Sequence, residues 1–130
     1  MLDKYKETFE RLTNIEAMFT NGCLATPNAI SDVMLELAGH YTFLNSQKTD
    51  LEVEKFKRSI TVRDSISNEA RMVGTKITKT FLEETVNAKM SELVVDIMVM
   101  TSHLTNIDKL ISVCQSSLKS LDREKRMPNY

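Results

Sequence analysis

The chain has 130 residues, with 42% hydrophobic and 27% charged side chains, three glycines, two prolines and a formal net charge of −1. That size suits one ordinary domain. The apolar share excludes intrinsic disorder, and so few turn residues exclude a β-sandwich or barrel. Two cysteines and two histidines exclude a disulfide framework and a Cys/His zinc site, and Cys23 and Cys114 read as small buried hydrophobes of a reducing compartment. The N-terminus turns charged at Asp3-Lys4, and the most apolar run, Leu93 to Met100, is short and broken by Asp96. Neither reads as a signal peptide or a membrane span, so the expectation is an intracellular, cytoplasmic protein with no membrane contact.

Apolar residues recur every three or four positions almost throughout, the period of a helix. Leu2, Tyr5, Phe9, Leu12, Ile15 and Phe19 give an N-terminal helix over about 3–20, stopped at Asn21-Gly22, where a left-handed C-cap is easy. Thr26 then offers an N-cap and Pro27 a first helical residue. From there one stripe runs through Ile30, Met34, Leu37, Tyr41 and Leu44 and on through Leu51, Phe56, Ile60, Ile66, Ala70 and Val73. It predicts a helix over about 27–73 whose weak point is the polar stretch Asn45 to Asp50. Gly74 ends it, and 74–78 is the connector. Thr80 with Glu83 fits a capping box, predicting a short helix from about 79.

The last segment is the most regular. Met90, Leu93, Ile97, Met100, Leu104, Ile107, Ile111, Cys114, Leu118 and Leu121 alternate gaps of three and four, a seam of about five heptads. It predicts a helix over about 89–126, with Pro128 as its stop. The fold class is therefore all-α: an antiparallel helical hairpin, coiled-coil-like, with an additional N-terminal helix, in a single domain over 1–130. Val94, Met98 and Val113 lie beside the seam as extra apolar positions, and such long helices leave apolar flank uncovered. Homo-oligomerisation, as a ring, is the expected cover.

Nothing in the sequence reads as an active site. There is no nucleophile–base pattern, no glycine-rich phosphate loop and no HExxH spacing. His40 and His103 sit on different helices as seam-edge or surface residues, the methionines fall in the helical stripe as core filler, and no cofactor or metal is implied. Charge is more informative. Residues 1–54 balance at −5, residues 80–130 at −1, and residues 55–79 at +5 through Lys55, Lys57, Arg58, Arg63, Arg71, Lys76 and Lys79 against Asp64 and Glu69. Repeated around an oligomer, this segment would form a belt able to follow a phosphate backbone. Equally, Glu54 to Arg58 is a plain i,i+4 pair, and at 100° per residue the cations spread over more than one face.

Read in order, the capped start Thr26-Pro27-Asn28, the aromatic turn Gly39 to Asn45, the basic helix Lys55 to Asp64, the connector Lys76 to Lys79 and the ending Leu118 to Arg123 resemble the UvsY-type recombination mediators of tailed phages. The resemblance spans roughly residues 26–126. It implies a ring of helical hairpins in a phage-infected bacterium that binds single-stranded DNA. Such a ring helps a RecA-like recombinase displace the single-strand-binding protein. It implies DNA contacts at Lys55, Lys57, Arg58 and Arg63; the charge count adds Arg71, Lys76 and Lys79 as a weaker second group. Where that family is aromatic-rich after its basic helix, this chain reads Glu69 to Gly74. The alternative is a coiled-coil protein-interaction module, a scaffold or an inhibitor, without nucleic acid.

Overall fold

The computed structural model describes residues 2–126 and their side chains as far as 124. A 3-10 turn over Asp3–Tyr5 leads into α1 (Lys6–Thr20), followed by α2 (Pro27–Val73) and α3 (Lys79–Arg126). Among the described residues there is no strand. The two long helices pack against each other as an antiparallel hairpin. At 1.5 Å per residue, the 47 residues of α2 span about 70 Å.

The boundaries have local causes. Gly22 and Gly74 carry the positive φ angles, +67° and +73°, and each follows a helix end where an L side chain would be strained. The Ala29 amide donates to Thr26 Oγ1 at 3.2 Å, capping α2, and Pro27 opens it without losing a hydrogen bond. The cap of α3 is Thr78, whose Oγ1 accepts from the Phe81 amide at 3.1 Å. The expected short helix and the long one after it are a single helix, because nothing between Lys79 and Met90 breaks the backbone ladder. The stop read at Pro128 lies outside the described residues.

The chain divides into two compact units, the first formed by residues 1–45 and 101–130, the second by residues 46–100. The first has three helical pieces: α1, the start of α2 and the end of α3. Its buried side chains are Tyr5, Leu12, Ile15, Ile30, Val33, Leu37, Leu44, Leu104, Ile107 and Cys114. Arg11 of α1 donates to both carboxylate oxygens of Glu36 on α2, at 2.7 and 2.8 Å, and Phe9 stacks on His103 of α3 with ring centres 4.0 Å apart. Tyr5 meets Phe43 edge-on at 6.0 Å. The second unit has only two pieces, and its core is Val86, Met90 and Leu93 with half-buried Leu51, Val62, Ile66, Leu82 and Val94 around it.

Three expectations need correction. Phe56, Ile60 and Val73 do not continue the α2 core stripe; they are exposed, and Leu51, Val62 and Ile66 face α3 instead. With 3.6 residues per turn, a stripe stepping 51, 56, 60, 66 drifts off one face, whereas 51, 62, 66 stays on it. Cys23 is exposed because it follows the Gly22 turn, outside any helix, and only Cys114 is buried. Finally, the α3 seam is not uniformly buried. Met90, Leu93, Met100, Leu104 and Ile107 are buried, while Ile97, Ile111, Leu118 and Leu121 are half-buried.

Candidate functional site

The seven cations of the basic segment are Lys55, Lys57, Arg58, Arg63 and Arg71 on α2, Lys76 in the connector and Lys79 at the start of α3. All are exposed, and all belong to the second unit. Arg58 pairs with Glu54 one turn away on its own helix. The unit that contains the segment has no net charge: residues 46–100 carry nine basic and nine acidic side chains, Glu83, Glu84, Glu92 and Asp96 of α3 among the acids. Nor do the α2 cations share a face: at 100° per residue Lys57 and Arg71 lie together with Asp64 between them, while Lys55 and Arg63 lie on other sides.

One aromatic belongs to this region after all. Phe56 is 67% exposed and, with Glu52, Lys55, Ser59 and Ile97, lines an open cleft of about 460 Å³. The cleft combines an apolar ring, one cation, one anion and a hydroxyl. The combination can hold an apolar or aromatic group, and it contains no nucleophile–base pair. Among the described residues no three His, Cys, Asp or Glu side chains stand close enough to hold a metal ion, and no helix is long and apolar enough to cross a membrane.

Sequence reasoning missed two features. Asp96, set among Leu93, Val94, Ile97 and Met100, is 8% exposed, and its Oδ2 has no hydrogen-bond partner among the described residues. Its signal was the charge interrupting the most apolar run of the chain. The second feature is the contrast in exposed apolar side chains. The first unit exposes Leu35, Phe43 and Val113, whereas the second exposes Val53, Phe56, Ile60, Met72, Val73, Phe81, Val95 and Met98. The physical cause is the missing third helix: two rods touch along one line each, so a helix that is apolar on more than that line leaves the remainder in water.

The histidines belong to the first unit. His40 Nε2 lies 2.9 Å from Glu36 Oε2, and the hydrogen bonds from Arg11, helped by His40, hold the Glu36 carboxyl down at about 2. Burial lowers the His103 pKa and raises that of the Cys114 thiol. These groups fasten α1 and fill a core. Compared with known proteins, the chain matches no family model, no curated protein and no solved structure.

Proposed function

We propose that this chain is a non-enzymatic helical binding protein whose working surface is the two-helix unit, and that its ligand there is another protein. The observation that carries this is the apolar exposure of residues 46–100: eight large apolar side chains open to water on a hairpin whose charges cancel. Large apolar side chains left open to water are what protein contacts use, and a surface without net charge gains little from a polyanion.

A recombination mediator that binds single-stranded DNA and loads a RecA-like recombinase is the second reading. It is favoured by the exposure of all seven cations and by Phe56 and Lys55 sharing one cleft, since a ring for base stacking beside a cation is the element single-strand binders use. The two readings separate in one experiment with two arms. A photo-cross-linking residue at Phe56 or Met98 should give discrete protein adducts in the native host cell, and one at Asp108 should not. In parallel, a labelled single-stranded oligonucleotide titrated at two salt concentrations should show no salt-sensitive binding. Salt-sensitive binding abolished by Lys57→Ala with Arg58→Ala, without protein adducts, would replace the first reading by the second.

A further inference from the structure

The Phe56 cleft lies wholly within the two-helix unit, where Glu52, Lys55, Phe56 and Ser59 of α2 meet Ile97 of α3. On α2, Glu52, Phe56, Ser59 and Arg63 are spaced by four, three and four residues. At 100° per residue they fall within about 40° of one another, so Arg63 continues the row of the cleft one turn beyond Ser59. It is exposed there. The apolar part of the wall is the Phe56 ring with Ile97, and a volume of about 460 Å³ has room for a large apolar side chain between them.

The polar groups around the cleft differ in what already holds them. Glu52, the acid of the wall, pairs with Lys48 at 3.6 Å, one turn away. Glu54 pairs with Arg58. Ser59 donates its hydroxyl proton to the Phe56 carbonyl at 2.7 Å, within the helix. Asp96 precedes Ile97 but is buried and is not part of the wall. Lys55 and Arg63 remain: among the described residues neither side chain makes an ion pair or a hydrogen bond. A ligand whose apolar group sits on Phe56 therefore meets two uncompensated cations on the α2 side.

We infer that this cleft docks an acidic segment of a partner protein: a large apolar anchor seated between Phe56 and Ile97, with carboxylates beside it at Lys55 and Arg63. This rests on the protein-binding reading above and states the partner's chemistry. The anchor contributes affinity by leaving water, and the two cations select by sign, since a basic segment would meet like charge at both. Phe56 and Arg63 stand seven residues apart, about 10 Å along α2, which a partner spans with seven helical residues or about three extended ones. A nucleic-acid strand fits the cleft less well. Stacking along a strand uses successive rings, and this cleft offers one ring with a carboxylate, Glu52, on the same wall.

The test presents the full chain with a displayed library of random dodecapeptides. The wild type should enrich peptides that carry Phe, Trp or Leu together with Asp or Glu. Lys55→Glu with Arg63→Glu should instead enrich the same anchors with Lys or Arg, and Phe56→Ala should enrich neither kind. All three residues are exposed, and circular dichroism checks that helicity is kept. The best wild-type peptide, labelled for fluorescence anisotropy, should bind the charge-reversed variant roughly tenfold more weakly. Oligo-thymidylate should not displace it from the wild type. Enrichment of acid-free peptides, the same peptides selected by the charge-reversed variant, or no enrichment at all would overturn the inference, as would displacement by oligo-thymidylate. Protein adducts from Phe56 that persist beside any of the first three results would keep the protein-binding reading and remove only the acidic anchor; loss of the adducts as well would remove both.

Discussion

Residues 46–100 and the unit made of residues 1–45 and 101–130 are built from the same two long helices, yet they solve burial differently. Where α1 lies against them, three helices enclose a core that includes fully buried Ile15, Leu37 and Ile107. Where no third helix is present, α2 has no fully buried side chain at all among residues 46–73, and its best-covered residues are only half-buried. A helix needs apolar neighbours on a broad stripe to be held by packing, and isolated helix propensity is a weak substitute. One unit is finished by its own chain; the other keeps faces open.

The largest difference should appear in core truncation. Leu37→Ala removes a side chain with no exposure, and a loss of about 2–5 kcal/mol is expected from urea unfolding. Val62→Ala, at a half-buried position of the other unit, should cost only about 1 kcal/mol, its two methyl groups being partly wet already. Equal losses at both sites would erase the contrast.

Next in size is Asp96→Leu. Removing a buried carboxylate whose Oδ2 lacks a partner should stabilise residues 46–100 by about 1–3 kcal/mol, read as a higher urea midpoint with an unchanged slope. A lower midpoint would show that Asp96 is satisfied in solution.

The attachment of α1 sharpens the comparison from the other side. Arg11→Gln removes the ion pair that ties α1 to α2, and a small loss is expected in urea unfolding. Glu36 ionises at about 2 when folded against 4.5 in an unperturbed chain, so its contribution is complete above pH 4.5 and disappears as the pH falls toward 2. Protection of α1, taken relative to the intrinsic exchange rate at each pH, should fall across that interval in the wild type and stay level in Glu36→Gln. The smallest effect is chemical. Cys23 should react with a thiol reagent at once, and Cys114 only at the rate at which its unit opens.

Much of this fold was legible because its signals are local. Thr26-Pro27, Gly22 and Gly74 specify caps and stops whatever the rest does, and the end of α1 and both ends of α2 follow from them. The α2 face was not legible in its second half. Leu51, Val53, Phe56, Ile60, Val62 and Ile66 contain two interleaved stripes, and periodicity alone cannot say which one faces α3. The basic segment is a related case: its positive balance is counted along one stretch of chain, whereas the unit that contains it carries as many acids as bases. Of the extra apolar positions beside the seam, Met98 and Val113 are exposed, whereas Val94 is half-buried against the Val86, Met90 and Leu93 core. Asp96 could be seen but not valued, since its cost depends on burial.

Amide hydrogen exchange read by mass spectrometry tests the central claim most directly. Residues 46–73 and 79–100 should exchange faster than 27–45 and 101–124. Protection that is uniform over both units would contradict the account.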